Sequence, residues 1–497
     1  GVHLSYRMLM DTNAKLRKQL NRQLSEATSY EQWHDVAWKL DDLDGNLQWR
    51  EDGNTDMLHV PLIQEHIRLM HRFRHQGNPA ALTRVLQESL YRHLGELSNP
   101  DLYATARTGT KRVVSEFLDE VRRGMNYICD KPQANLSVEQ KLALFRRAEK
   151  VFGRPALMLS GGAAFGIYHF GVTRALWRQN LLPDVIAGSS MGSLVAAAVC
   201  CRDDRELDIL FDNPERVHRQ ALRWLRLGDI WRRKHAMDQS QLHEHIRTNV
   251  GTLSFREAFE HSGRTMNISV SPTRTRQKPR LLNELTAPDV TIDSAVLASC
   301  AVPGIYPSVT LQARSHTGRD GDEVPYMPTE RWIDGSVHGD LPMLRMARLH
   351  NVNRTIVSQA NPHVLPFISH RYNRGFSASF RQATSSLIHA HVATLLELTR
   401  NTWSSPMVRP LIEQAHSMAT QSYLGDINVQ FPFRPMLYRK VLANPSEKDL
   451  AMYLRIGEHA TWPMMAMIED QTLVSRTFRE CIDRLKQRAG AERRKIA

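Results

Sequence analysis

The segment that most constrains this chain is Asp184-Val185-Ile186-Ala187-Gly188-Ser189-Ser190-Met191-Gly192, followed by an apolar, small-residue run to Cys201. A short apolar run, a glycine-flanked serine and a second apolar run read as strand, tight turn and helix. Such a turn leaves no room for bulky flanking side chains, so Gly188 and Gly192 permit it and the middle Ser190 is thrust out with its hydroxyl exposed. The helix that follows points its free N–H groups and positive dipole end at the same place, favouring negative charge there. G-x-S-x-G also occurs as a plain small-residue turn in buried chain. Its position between strand and helix favours a nucleophile at Ser190.

The same pattern occurs just upstream. Ala156 to Leu159 is a short apolar run that ends in Ser160-Gly161-Gly162, and a helix-like segment follows from Gly166 to Gln179. Strand–turn–helix repeated twice is the signature of an α/β fold built on a mainly parallel sheet flanked by helices. Asn267 to Val270, Arg331 to Ile333 and Thr355 to Ser358 are further strand candidates. Residues 1–150 show helical periodicity throughout and read as an accessory domain. Residues 151–350 carry the α/β pattern. Residues 351–497 supply the last core elements and a mainly helical C-terminal region, with long periodic segments at Ser379–Arg400 and Tyr453–Arg488.

Two further motifs fit acyl transfer to a serine. Gly161-Gly162-Ala163 lies between strand and helix, where backbone amides can meet a developing oxyanion; losing one such donor typically costs about 3–4 kcal/mol. A glycine-rich loop can also cradle phosphate, but neither G-x-G-x-x-G nor G-x-x-x-x-G-K-[ST] is present. Trp332-Ile333-Asp334-Gly335 ends a short apolar strand with a carboxylate, which could take the serine proton as general base. Asp-Gly is equally a hairpin turn signal. His169 and His338 are the histidines nearest these motifs in sequence.

The chain has 497 residues and a formal net charge of +13, which suits an anionic partner such as an acidic membrane surface. No zinc-finger, RNP or basic-region pattern points to nucleic acid. Five cysteines without a CxxC pair argue against a disulfide scaffold or a zinc site and fit buried free thiols in a reducing, cytoplasmic setting. No signal-peptide-like start and no apolar stretch of about 20 residues stand out. Ala221 to Lys234 interleaves Trp224, Leu225, Leu227 and Trp231 with cations, a composition suited to lying on anionic lipid or to an ordinary helix with a basic face.

Taken in order, Gly-Gly-Ala-Ala-Phe-Gly, Gly-Ser-Ser-Met-Gly and Asp-Gly-Ser resemble the three blocks of patatin-like phospholipases, and Ala298 to Pro307 also resembles that family. Val357 to His363, Tyr423 to Ile427 and the N-terminal Trp33, Trp38, Leu40-Asp41-Asp42-Leu43, Leu102-Tyr103 and Thr108-Gly109-Thr110-Lys111 are similar to one branch of it. That branch holds fungal and plant triacylglycerol lipases of lipid droplets and their bacterial relatives. The resemblance implies a patatin-like fold and a Ser–Asp dyad of Ser190 and Asp334, without a catalytic histidine. It also implies an oxyanion hole at Gly161, Gly162 and Ala163, with no metal and no cofactor. Its substrate is a lipid met at a membrane or lipid-droplet surface. Many patatins carry Arg or Lys where this chain has Ala164-Phe165, which leans towards neutral lipid. Acyl transfer to an alcohol at the same site is the alternative reaction, and a non-catalytic membrane-binding scaffold is the alternative outside catalysis. No His-x-x-x-x-Asp acyltransferase motif occurs.

Overall fold

A computed structural model of the chain describes residues 2–274, 278–316, 321–335, 343–362 and 425–496. It divides into two units. The first comprises Gly1–Pro155, Asn351–Arg354 and Trp462–Ala497, and the second Ala156–His350 and Thr355–Thr461. The segment Ser379–Arg400, His338 and Ser336 lie outside the described residues.

The first unit is helical because its breaks are strong caps. Ser29 accepts from the Gln32 amide, Asn78 from the Ala81 amide, and Ser137 forms a reciprocal capping box with Gln140. The helices bury Ile63, Met70, Leu82, Phe117 and Val121 in one core, each fully buried large side chain contributing about 1.5–3 kcal/mol. The final helix, Met465–Ile496, adds Phe478, Cys481 and Leu485 to that core. The periodic stretch Tyr453–Arg488 is therefore two helices, Glu447–Thr461 and Met465–Ile496, separated by a 3₁₀ turn at Trp462–Met464. Pro463 removes an amide donor and breaks the α-helix there. Trp33 is buried, whereas Trp38 is 46% exposed on another face of the helix Tyr30–Leu43. Asp41 and the Thr108 region, far apart in sequence, meet: the carboxylate accepts from the Arg107 and Thr108 amides, the Thr108 hydroxyl and Asn46. Burial opposes ionisation of Asp41, but these donors outweigh it and hold its pKa below the usual carboxylate value.

Among the described residues, a seven-stranded sheet lies mostly in the second unit. Its strands are β1 Arg154–Leu159, β2 Val185–Gly188, β3 Thr265–Pro272, β4 Arg280–Leu282, β7 Trp332–Asp334, β8 Val352–Gln359 and β9 Ile427–Gln430, in the order β4-β3-β2-β1-β8-β9 with β7 also pairing β3. β5 Gln312–Arg314 and β6 Glu323–Pro325 form a separate ribbon. β1–β2, β2–β3 and β8–β9 are parallel, while β4 and β7 run antiparallel to β3. Every residue of β2 and β3 is buried, as expected for strands covered on both faces. The helix Tyr168–Arg178 packs tightly on Glu447–Thr461: a Cβ at Gly171 would lie 2.0 Å from the Leu454 carbonyl oxygen. All five cysteines are buried and free.

Candidate active site

Ser190 stands between β2 and the helix Met191–Cys200 with φ 51° and ψ −124°. A non-glycine residue in that region costs about 1–3 kcal/mol and persists only where its surroundings hold it. Three bonds do so. The Ser189 amide donates to the Leu159 carbonyl at 3.1 Å. The Ser190 amide donates to Ser299 Oγ at 3.0 Å. Ser193 Oγ donates to the Ser190 carbonyl at 2.6 Å. A Cβ on Gly188 would sit 2.4 Å from the Gly192 carbonyl oxygen, and one on Gly192 would sit 2.3 Å from that of Leu159. Only hydrogen fits at either place.

The glycine loop lies against this elbow. A Cβ built on Gly161 would be 3.4 Å from Ser190 Cβ. Among the described residues, the amides of Gly161, Gly162 and Ala163 have no protein acceptor, and Ala163 is held at φ 46°. His169 braces the loop from behind. The Ser160 carbonyl can only accept, so His169 Nε2, 2.8 Å away, carries the hydrogen; Nδ1 faces the Ser358 hydroxyl, also at 2.8 Å. Burial drives the His169 pKa down to about 3, against a smaller upward pull from the Ser160 carbonyl. With both nitrogens engaged, His169 is a structural brace.

Asp334 ends β7, 1% exposed, opposite Val270 of β3. Its amide donates to the Ala301 carbonyl at 3.2 Å. The following Gly335 presses on β3, where a Cβ would be 2.5 Å from the Ser269 carbonyl oxygen. Ser299 and Cys300, in the stretch from Ala298 to Pro307, lie next to the elbow, and Ser299 joins it to β3. Ser299 Oγ accepts from Ser190 and donates to the Ser269 carbonyl at 3.1 Å. The Cys300 thiol is pushed up to about 12, first by burial and then by the Asp334 carboxylate, while the hydroxyls of Ser190 and Ser193 pull it down. Ser299 and Cys300 sit at the end of the apolar helix Ile292–Ser299, and nothing in that run singles out their side chains.

An apolar cavity of about 840 Å³, its mouth included, opens beside the elbow, lined among others by Ala163, Ile167, Phe170, Met191, Leu194 and Leu222. Its outer wall, Val217 to Leu222, is pinned by two asparagines. Asn249 Oδ1 accepts from the His218 amide at 2.9 Å, and Asn444 Oδ1 accepts from those of Ala221 and Leu222 at 3.0 and 2.8 Å. His218 and His245 meet through their Nδ1 atoms at 2.9 Å. Burial, then the neighbouring His218, lowers the His245 pKa to about 4. The chain leaving this wall exposes Trp224 (56%), Leu227 (81%) and Trp231 (86%). No helix among the described residues is long and apolar enough to cross a membrane.

Comparison with known proteins matches residues 157–346 to the patatin-like phospholipase family and residues 10–150 to a domain of unknown function, DUF3336. Triacylglycerol lipase SDP1L of Arabidopsis thaliana is 33% identical over 94% of this chain and 58% of its own length. Triacylglycerol lipase 4 of Saccharomyces cerevisiae is 31% identical over 90% and 51%. Triacylglycerol lipase ptl3 of Schizosaccharomyces pombe is 30% identical over 95% and 99%. This chain therefore spans only a little over half of the first two relatives and nearly all of the third.

Proposed function

We propose that this chain, which belongs to the patatin-like phospholipase family, hydrolyses fatty-acyl esters of lipids, with Ser190 as nucleophile and Asp334 as its base. The observation that carries the reading is a strained, half-buried serine elbow flanked by loop amides unpartnered among the described residues and lying beside an apolar cavity. Ser190 Oγ attacks the ester carbonyl while its proton passes to the Asp334 carboxylate. The carbonyl oxygen becomes an oxyanion met by the Gly161, Gly162 and Ala163 amides. The C–O bond to the alcohol then breaks, and Asp334 returns the proton to the departing alkoxide. Water, deprotonated by the same carboxylate, cleaves the acyl-enzyme and restores Ser190. The acyl chain lies in the cavity bounded by Met191 and Leu222, and Trp224, Leu227 and Trp231 present its outer wall to the lipid surface. Neutral acylglycerols are the preferred class, in line with the names of the relatives and with Ala164-Phe165 in the glycine loop.

The test is a lipid panel of triacylglycerol, diacylglycerol, phosphatidylglycerol, phosphatidylethanolamine and lysophospholipid. The wild-type protein is expected to release fatty acid, fastest from neutral glycerides. Ser190→Ala and Asp334→Asn are each expected to lose at least 1,000-fold, and His338→Ala to keep most activity. A comparable loss in the His338 variant would replace the dyad with a triad.

A further inference from the structure

A second groove, of about 900 Å³ including its open side, lies where β4 and β7 meet the outer edge of β3. It shares no lining residue with the apolar cavity. Its floor is apolar, formed by the buried Leu281, Leu282 and Trp332. Its rim is cationic, with Arg280, Arg345 and Arg348. The Arg280 guanidinium lies over the Trp332 ring, 5.5 Å from its centroid, and Arg345 donates to the Pro279 carbonyl. Among the described residues none of these three guanidiniums is paired with a carboxylate. The acid two residues before Trp332, Glu330, is taken by Arg274 at 3.6 Å.

One more donor is unmet. The Trp332 indole N–H can only donate, is buried beneath the floor, and finds no acceptor among the described residues. Three guanidiniums with no carboxylate partner among the described residues, set around an apolar trough, lack one thing: a group rich in acceptor lone pairs carried on an apolar body. Guanidinium forks match the oxygens of a phosphate, and Arg is weakly enough hydrated to bind it beside apolar surface.

We infer that this groove binds the phosphate group of an anionic glycerophospholipid, with Arg280, Arg345 and Arg348 on the phosphate oxygens and the lipid body against Leu281, Leu282 and Trp332. It holds the protein on an anionic lipid surface while the ester to be cleaved enters the separate cavity at Ser190. The net charge of +13 favours the same surface at longer range. The inference concerns binding, so its test is independent of whether Ser190 is the nucleophile.

Calorimetric titration of the full chain with a short-chain diether phosphatidylglycerol, kept below its micellar limit, provides the measurement, because that lipid has no ester to cleave. Inorganic phosphate is the second ligand. The wild-type protein should bind the lipid at least tenfold more tightly than phosphate. Arg280→Gln/Arg348→Gln should weaken lipid binding at least tenfold. Arg494→Gln/Lys495→Gln, at the far end of the chain, should leave it unchanged. Equal binding by the Arg280/Arg348 variant and the wild type would overturn the site. So would equal losses in the two double variants, which would indicate charge alone. Equal affinity for phosphate and lipid would overturn the lipid assignment in favour of a free phosphate ion.

Discussion

Replacing Ser299 by alanine removes one oxygen and unpairs two backbone groups. Its hydroxyl accepts from the Ser190 amide at 3.0 Å and donates to the Ser269 carbonyl at 3.1 Å, and the side chain is fully buried. A buried donor or acceptor left unpaired costs about 1–3 kcal/mol, so the two together should lower stability by roughly 3 kcal/mol. The larger consequence is local. Ser190 occupies φ 51° only because its surroundings enforce it. Without the bond to its amide, that strain of about 1–3 kcal/mol can relax and carry Oγ away from the loop amides. A misplacement near 1 Å typically costs about 100-fold in rate, which corresponds to about 2.7 kcal/mol of barrier. Ser299→Ala should therefore lower kcat about 100-fold on a soluble p-nitrophenyl ester. KM should stay within about threefold, because no cavity residue is touched. Labelling of Ser190 by a fluorophosphonate should slow in parallel, and the urea midpoint should fall. A variant with wild-type kcat and labelling rate would refute the claim that Ser299 holds the elbow, whatever its stability.

Three further outcomes are expected. Filling the cavity with Ala198→Phe or Val195→Phe should shift the preferred p-nitrophenyl ester from long acyl chains to butyrate, with KM for the sixteen-carbon ester rising most; an unchanged chain-length profile would move the acyl site elsewhere. Burial lowers His169 to about 3 and His245 to about 4. Below the ordinary value of about 6.5 the unfolded chain takes up protons that the folded one refuses, so stability is greatest above pH 6.5 and falls as pH drops towards 4. The slope is about 1.4 kcal/mol per pH unit for each histidine. Urea midpoints that stay flat from pH 7 to 5 would contradict this, and His245→Asn should reduce the slope. Trp224→Ala/Trp231→Ala should weaken co-sedimentation with anionic liposomes several-fold and leave soluble-ester hydrolysis intact; equal co-sedimentation would show that this segment does not meet lipid.

Much of the fold and the elbow was legible in the chain because it is encoded locally. An apolar run of three residues followed by Gly-Ser-Ser-Met-Gly has few ways to fold, and β2 with the helix Met191–Cys200 lies where the pattern puts it. The strands β3, β7 and β8 contain the candidates at Asn267–Val270, at Ile333 and Trp332, and at Thr355–Ser358. Residues 154–159 likewise form the strand before the glycine loop. These features depend on short continuous apolar runs and on glycine at close approaches, both of which the residues themselves declare.

What only the tertiary structure decided are the relations between distant segments. Ser299 lies 109 residues from Ser190 and joins it to β3 through one hydroxyl. His169 is committed to Ser160 and Ser358 because the sheet brings those groups to its two ring nitrogens. The last helix completes the N-terminal core through Phe478, Cys481 and Leu485, although its sequence shows only helical periodicity. Arg280 from β4 and Arg348 from the helix Met343–His350, 68 residues apart in sequence, line one groove. Local sequence sets which face of a strand or helix is apolar, because that depends on backbone period. Which two faces meet depends on the packing of the whole chain, and there the hydrogen-bond partners of the buried polar groups are settled.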